Sequence, residues 1–512
     1  MTERSHVRSG DVRSGDVRSG SVRTGRVDDD VPPGGGAERL DPAARTVITV
    51  LLVSAFVVIL NETIMSVALP VLMTDLGVSA SVGQWLTAGF LLTLSVVIPI
   101  TGFLINRYHT RTLFTAAMGL FSAGTLLAAV APGFPVLLAA RVVQASGTAI
   151  MIPLLMTTVM TLVPPARRGA LMGNISIVIS VAPAIGPAVS GLVLSVLGWR
   201  FLFWLVLPIA LVALLVGRPR ITNVGEQAVA RIDVLSVVLS ALGFGGLVYG
   251  LSSVGQSAGV STATWVAFAV GAVGLAAFVA RQLVLQRLGH PLLDLRTFRS
   301  RTFTAASLIM MVMFGLLLGT AVLLPIFMQS VQGLTPLATG LLLLPGGVVM
   351  GLLGPVVGRL YDRFGALVPL VPGALVACAA MWSATLFSAD SSPVRVLVFH
   401  VLLSVGLAFT FTPLFTAGLG DLPPRLYSFG SAIFSASQQL AGAAGVALLV
   451  SVYSLRAASL TGVPEPERIA DGLHVAFLVA AALSVLAVVG SVFVRTPASP
   501  PGPPGGNAPK PE

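Results

Sequence analysis

The chain has 512 residues, of which 55% are hydrophobic and 10% are charged, and its mean hydropathy is +0.94. Soluble chains carry about a quarter charged residues, so the composition excludes a soluble enzyme and indicates an integral membrane protein. The only lysine is Lys510, so no Gly-x-x-x-x-Gly-Lys-Ser/Thr phosphate loop is possible and the chain cannot be its own ATP-driven pump. One cysteine, Cys378, excludes an intrachain disulfide and a cysteine-built metal site, and we expect no cofactor.

The two ends of the chain are polar. Residues 1–45 carry a five-residue repeat of the type Val-Arg-Ser-Gly, then three aspartates and a Pro/Gly run, and they lack the apolar core of a cleavable signal peptide. Residues 496–512 are rich in Pro and Gly. Such segments cannot bury enough apolar surface to offset their ordering entropy, so we predict two disordered cytoplasmic tails.

Fourteen apolar runs are long enough to cross a bilayer, for which a helix needs about 20 residues. The predicted spans are 47–70, 84–105, 112–131, 136–162, 170–195, 201–217, 233–252, 262–282, 303–328, 338–359, 366–387, 395–417, 428–453 and 473–494.

The arginines predict the orientation of these spans, because cytoplasmic loops carry the excess of basic residues. With a cytoplasmic N-terminus, four arginines lie outside: Arg200, Arg395, Arg456 and Arg468. Sixteen lie inside: Arg107, Arg111, Arg167, Arg168, Arg218, Arg220, Arg231, Arg281, Arg287, Arg296, Arg299, Arg301, Arg359, Arg363, Arg425 and Arg495. We therefore predict a multi-pass protein of a bacterial cytoplasmic membrane with both termini cytoplasmic. The net charge of +10 reflects topology and not nucleic-acid binding.

Two cytoplasmic turns resemble each other. Gly102, Asn106 and Arg107, with Arg111 beyond, follow the second span, and Gly358, Asp362 and Arg363 follow the tenth. Duplicated bundles around a central site are the usual architecture of secondary transporters. We predict an all-α fold of two pseudo-symmetric six-helix bundles, residues 46–220 and 301–495, with two inserted helices in 221–300. The turns would act as latches through arginines near helix C-termini; alternatively, these arginines only fix orientation.

Glu62 is the only acidic residue in the interior of a predicted span, since Asp233 stands at the first position of the seventh. A carboxylate there costs about 2.5–3.5 kcal/mol even on a lenient insertion scale, and it lies ~22 Å along the span from residue 47, too deep for a short side chain to reach the interface. We predict that Glu62 exchanges protons, pairs with a cationic substrate, or both. Asn61 precedes it, ~100° away around the helix, so the two side chains should face different walls.

Two further stretches carry polar or helix-breaking residues inside spans. Arg141 lies early in the fourth span, with Gln144 three residues later, and should face a polar cavity or a carboxylate; alternatively, it snorkels to the outer headgroups. In the fifth span, Gly186-Pro187 with Gly191 predicts a kink and close packing. Ordinary small-residue packing explains that pattern equally well.

Four motifs in order resemble the major facilitator superfamily, in its fourteen-helix drug:proton antiporter branch, over residues 46–495. They are Leu60 to Pro70 in helix one, the turn with Gly102, Arg107 and Arg111, the pair Arg141 and Gln144, and Ala182 to Gly191 in helix five. Asn106 and His109 depart from the family's Asp and Gly, and Asn61 stands where the family has an acid. Asn-Glu-Thr in helix one and the aspartate-free turn resemble the lincomycin-type exporters.

The resemblance implies a proton-coupled exporter of amphipathic drugs or a secreted metabolite that works by alternating access. The alternative is proton-coupled uptake of a small nutrient. A membrane enzyme would need clustered catalytic or metal-binding side chains, which the spans lack, and no loop is long enough for a receptor's signalling domain. The expected partners are the lipid bilayer, protons and a small amphipathic substrate, and we expect a monomer.

Overall fold

The computed structural model describes residues 41–224, 232–254, 261–388, 390–460 and 462–495. Most of the two predicted tails and Arg231 lie outside these ranges. Within these ranges there are fourteen helices long and apolar enough to cross a membrane, which confirms the predicted all-α membrane fold and span count. They are α1 Pro42–Asp75, α2 Trp85–Arg107, α3 Thr110–Ala129, α4 Phe134–Leu162, α5 Arg168–Val196, α6 Arg200–Arg220, α7 Val234–Val254, α8 Thr262–Leu288, α9 Arg301–Ile326, α10 Pro336–Phe364, α11 Leu367–Ala384, α12 Pro393–Gly420, α13 Tyr427–Ser459 and α14 Glu465–Ser491.

Several helices extend beyond the apolar runs that predicted them. Helix α1 begins at Pro42, because Asp41 caps it by accepting the Ala43 N–H and proline fits the first helical position. Helix α14 begins at Glu465, eight residues before its predicted start, with two glutamates in its first turn, where the helix dipole favours negative charge. These ends are polar and helical, which hydropathy alone does not detect.

Two groups of six helices show the same internal packing. In the first, α1 contacts α5 and α6, α2 contacts α4, and α3 contacts α4 and α6. In the second, α9 contacts α13 and α14, α10 contacts α12, and α11 contacts α12 and α14. The order of the helices is the same in both groups, as expected for a duplicated bundle. The inserted pair, α7 and α8, pack on each other, and α7 lies against α2 and α13.

The bundles meet through α2 with α13, α5 with α10, α4 with α13, and α5 with α12. We call the side on which α1 begins, and on which α2, α4, α10 and α12 end, the basic face. At that face every residue of 410–419 on α12 and of 427–436 on α13 is buried. Farther along α13, residues 437–440 are half-buried. The bundles are therefore tightly packed at the basic face and more open in the opposite half.

Candidate functional site

Glu62 lies in the interior of α1 and is partly buried. Among the acidic residues that the structure describes, it alone lies more than two turns from a helix end. Asn61 beside it is 1% exposed, and its Nδ2 has no hydrogen-bond partner within the described part of the chain. The two adjacent side chains thus have different surroundings, as their ~100° separation predicts.

Helix α5 packs against α1 at the residues that directly follow Glu62. A Cβ at Gly186 would collide with Thr63 Oγ1, so only glycine permits this approach. Ser190, one turn farther on, donates from Oγ to the Ile64 carbonyl at 2.9 Å. The helix-five motif therefore fixes the segment of α1 that carries the carboxyl.

The rest of the helix-five motif faces outward. Pro187 and Gly191 are exposed, and a Cβ at Gly191 would meet nothing within 4 Å. The predicted close packing therefore occurs at Gly186 and not at Gly191.

Arg141 is buried in the first bundle and is 1% exposed, so it does not snorkel to the headgroups. Its Nη1 donates to Gln144 Oε1 at 2.6 Å, and its guanidinium lies 4.1 Å from the Phe90 ring centroid. Gln144 in turn donates from Nε2 to Thr125 Oγ1 at 2.8 Å. Residues of α2, α3 and α4 therefore hold Arg141 in one orientation, by hydrogen bonds and a cation–π contact.

Glu62 and Arg141 attract each other electrostatically, but no direct ion pair joins them in the part of the chain that the structure describes. The described hydrogen bonds of the Arg141 guanidinium go to Gln144 and, at 3.5 Å, to the Leu86 carbonyl, and none goes to Glu62. Glu62 therefore keeps its oxygens available for a proton or a cationic group, in a low-dielectric site where either interaction is strengthened.

Asp362, near the end of α10, links the two bundles. Its two carboxylate oxygens accept the backbone N–H groups of Gly169 and Ala170, each at 2.7 Å. These are unsatisfied donors in the first turn of α5, where the helix dipole also favours negative charge. The carboxylate thus caps a helix of the opposite bundle.

Asn106 occupies the equivalent position at the end of α2. Its Oδ1 accepts a hydrogen bond from Ser428 Oγ at 2.8 Å, in the first turn of α13. A Cβ at the nearby Gly102 would lie 3.1 Å from the Phe429 ring and 3.2 Å from the Ser428 carbonyl. The first turn therefore also meets the opposite bundle at a helix start, through a neutral amide.

Three arginines of these turns contact residues of their own bundle. Arg111 donates to the Ile221 and Pro219 carbonyls at the end of α6, so it does satisfy a helix C-terminus, but one of its own bundle. Arg107 lies over the Tyr108 ring and Arg363 over the Phe364 ring. At these two turns, the hydrogen bonds to the opposite bundle that the structure describes come from the amide and the carboxylate that precede these arginines.

A glycine seam between α5 and α10 was missed by sequence reasoning. Gly169 lies against Gly358 and Gly173 against Gly354, so closely that a Cβ on any of them would collide with the opposite backbone. The signal was available, because both helices repeat glycine every four residues, a spacing that lets helices approach closely. The network around Arg141 also adds Phe90 and Thr125, which no motif indicated.

The site contains no cluster of metal ligands. Within the described residues, no group of three or more His, Cys, Asp or Glu could hold a metal ion. The arrangement is a single interior carboxyl, a guanidinium held by Gln144 and Phe90, and two polar contacts between the bundles.

Comparison with known proteins gives consistent matches. The sequence profile of the Major Facilitator Superfamily matches residues 51–446. The MFS-type transporter YcnB of Bacillus subtilis (strain 168) is 39% identical over 460 residues, which is 90% of this chain and 97% of that protein. The lincomycin resistance protein LmrB of Listeria monocytogenes is 37% identical over 467 residues, 90% of this chain and 98% of that protein.

The fold agrees with solved structures of the same superfamily. The human organic anion transporter MFSD10 superimposes with a TM-score of 0.63 at 16% identity, covering 88% of this chain and all of that one. At that identity the likeness concerns the fold alone. Together, the fourteen membrane helices, the duplicated bundles and the family match show that the chain belongs to the major facilitator superfamily of membrane transporters.

Proposed function

We propose that this transporter is a proton-coupled antiporter, which exports amphipathic drugs or a secreted metabolite from the bacterial cytoplasm by alternating access. The observation that carries the proposal is Glu62, a partly buried carboxyl in the interior of α1 without a direct ion pair in the described structure. A carboxyl removed from water changes its charge readily when a neighbouring cation comes or goes, which is the property that proton exchange requires.

The direction of transport is supported by relatives and by charge. Relatives that align over nine-tenths of this chain are named lincomycin resistance proteins, as exporters of a toxic compound would be. The arginine excess indicates that the basic face is cytoplasmic. With the basic face tightly packed, the structure then corresponds to a state open toward the outside.

In the proposed cycle, Glu62 takes a proton in the outward-open state and thereby releases a cationic or polar substrate group outside. The neutralised site allows the bundles to rock and open at the basic face. There Glu62 releases the proton and binds the next substrate. Arg141, held in place by Gln144, favours the ionised form through its positive charge without forming a direct ion pair with Glu62 in the described structure.

The contacts at Asp362 and Asn106 would act as latches of the outward-open state. Each joins the end of a helix in one bundle to the first turn of a helix in the other. Opening at the basic face must break both contacts, so their strength sets the equilibrium between the two states.

The proposal is tested by proton-driven uptake of ethidium and lincomycin into everted membrane vesicles. Glu62→Gln should abolish uptake that responds to the pH gradient, with normal protein level. Asp471→Asn is the matched control, because Asp471 is an exposed acid near the start of α14, paired with Arg456 in the last turn of α13, and it should transport normally. Gradient-dependent uptake that is unchanged in Glu62→Gln would contradict the coupling role. Expression that raises accumulation of every compound in whole cells would support nutrient-type uptake instead.

A further inference from the structure

A pocket of about 410 Å³ lies at the basic face between the start of α1 and the end of α6. Its lining residues are Arg45, Thr46, Thr49, Val50 and Arg220. The pocket is separate from Glu62, which lies about three turns beyond Val50, the lining residue nearest to it along α1. It therefore has no part in the transport site described above.

The two arginines of the pocket lack carboxylate partners in the described ranges. The ion pairs in the described ranges join other arginines to four aspartates: Asp75, Asp233, Asp294 and Asp471. The nearest acid along the helix, Asp41, uses its side chain to cap the Ala43 N–H. Arg220 donates from Nη1 to the Val216 carbonyl, which holds its guanidinium at the helix end. Two positive charges thus converge on one opening, which suits an anion.

The surfaces that run from the pocket along both helices are apolar and exposed. Residues four apart share a helix face, so Val53 continues the stripe of Arg45 and Thr49 on α1. Likewise, Val216 and Val212 continue the stripe of Arg220 on α6. The exposed fractions are 47% for Val53, 43% for Val216 and 59% for Val212. A charged opening above an apolar path has the shape and polarity of a phospholipid.

The two helices touch just beneath the pocket and close its floor. A Cβ at Gly217 would lie 2.6 Å from Val50 Cγ1 and 2.7 Å from Phe114 Cζ. A ligand headgroup therefore rests on the junction of α1, α3 and α6, and its chains leave along the exposed valine stripes.

We propose that Arg45 and Arg220 bind the phosphate of an anionic phospholipid, whose acyl chains follow the apolar surfaces of α1 and α6. Guanidinium groups bind phosphate oxygens in a bidentate geometry, and basic pockets between membrane helices suit anionic headgroups. The apolar path distinguishes a lipid from a free phosphate ion, which would gain nothing from it. The bound lipid would hold the first and last helices of the first bundle together.

The test is lipid binding by the full chain in detergent, followed by native mass spectrometry. The probes are phosphatidylglycerol and phosphatidylcholine with identical acyl chains, and inorganic phosphate as a competitor. Phosphatidylglycerol should bind preferentially. The double change Arg45→Gln with Arg220→Gln should weaken it by about 30-fold, which corresponds to roughly 1 kcal/mol per arginine.

The matched control is Arg218→Gln with Arg425→Gln, two exposed arginines of the same face that do not line the pocket, and it should bind phosphatidylglycerol like the original chain. Equal thermal unfolding midpoints would show that both variants fold. A conservative Arg45→Lys with Arg220→Lys chain should keep most of the binding. Equal loss in the pocket and control variants, or equal affinity for the two lipids, would overturn the proposal.

Two further measurements test whether something other than a lipid occupies the pocket. Displacement of the lipid by low-millimolar inorganic phosphate would show a phosphate site without a role for the chains, and would overturn the lipid assignment. The acidic run Asp28, Asp29 and Asp30 could compete from within the chain. If changing all three to Asn created a preference for phosphatidylglycerol that the original chain lacks, the tail and not a lipid would be the native occupant.

Discussion

The two turns that join the bundles at the basic face occupy equivalent positions but use different chemistry. Asp362 offers a charged carboxylate to two backbone N–H groups, whereas Asn106 accepts one hydrogen bond from a serine hydroxyl. Hydrogen bonds to charged groups contribute about 1.5–3 kcal/mol and neutral ones about 0.5–1.5 kcal/mol. The two equivalent turns therefore form one stronger and one weaker contact between the same two bundles.

The helices are also packed more tightly beside Asp362 than beside Asn106. Beside Asp362, Gly358 touches Gly169 backbone to backbone, with no room for a methyl group. Beside Asn106, Gly102 faces the Phe429 ring and the Ser428 backbone at 3.1–3.2 Å, a contact that small shifts can relieve. The α5–α10 side should therefore resist opening, and the α2–α13 side should yield first.

Two pairs of polar side chains report on these sides separately. Thr157 Oγ1 lies 3.2 Å from Ser431 Oγ between α4 and α13, and Ser176 Oγ lies 2.9 Å from Thr412 Oγ1 between α5 and α12. With Cys378→Ser as background, Thr157→Cys with Ser431→Cys, or Ser176→Cys with Thr412→Cys, gives a disulfide whose formation rate measures closure.

The largest effect is expected from Gly358→Ala. Its methyl group must push α5 and α10 apart, and overpacking costs about 1–3 kcal/mol, so cross-linking of the Ser176–Thr412 pair should fall by roughly 5- to 150-fold. The matched change Gly102→Ala should reduce cross-linking of the Thr157–Ser431 pair only severalfold. Equal losses in the two variants would remove the distinction between the two sides.

Asp362→Asn should have the next largest effect. The amide keeps the shape but loses the charge that interacts with the start of α5, so closure should weaken by about tenfold. Transport should fall with it, because the outward-open state is less populated. Asn106→Ala is the comparison, and it should change closure by about threefold or less. The cross-linking rates of both reporter pairs give the measurement.

Asn106→Asp should act in the opposite direction. A carboxylate at this position would interact favourably with the first turn of α13 and would make the two turns alike. We expect about threefold faster cross-linking of the Thr157–Ser431 pair, the size of a helix-terminus charge effect of about 0.7 kcal/mol. If cross-linking becomes slower instead, the contact with Ser428 requires the amide group of Asn106, and a charged carboxylate cannot replace it.

Arg111→Ala should change stability and leave closure unaltered. Arg111 satisfies carbonyls at the end of α6 within its own bundle, so its loss should cost about 1 kcal/mol of unfolding free energy. Thermal unfolding should detect the loss, while both cross-linking rates stay unchanged. Slower cross-linking would mean that this arginine acts between the bundles.

The smallest effect concerns Asp233 of the inserted pair, whose described partners, Ser236 and Arg281, belong to that pair and to neither turn. Hydrogen bonds from the Arg281 guanidinium hold the pKa of the Asp233 carboxyl below its usual range. A lowered carboxyl pKa stabilises the fold above the unfolded value of about 3.9, and this stabilisation is lost as pH falls below it. The decrease in thermal stability from pH 6 to pH 3 should therefore be slightly smaller in Asp233→Asn. Neither reporter pair should respond.

Hydropathy and motif order predicted the number of helices and the duplicated architecture, because each span must be apolar over its whole length. They did not predict the helix ends, where residues such as Glu465 are polar yet helical. A capping pair such as Asp41-Pro42 is a readable signal for such an end.

The sequence predicted which residues belong to the candidate site, but only some of the contacts that those residues make. Glu62 and Arg141 could be identified from the sequence, because a charge inside a membrane span is costly. The sequence did not show that the direct partner of the Arg141 guanidinium is Gln144, three residues away on the same helix. Arginine latches were expected at helix C-termini between bundles, whereas Asp362 caps a helix N-terminus. A sequence shows which groups need partners, while the packing of distant helices decides which partner each one meets.

Proton release on substrate binding tests the coupling role of Glu62 most directly. Ethidium or lincomycin would be added to the purified transporter in weakly buffered detergent, and the pH change and bound substrate would be measured together. If substrate and proton compete for one carboxyl, the original chain should release up to about one proton per bound molecule, and Glu62→Gln should release none. Undiminished proton release from a Glu62→Gln chain that still binds substrate would contradict the account.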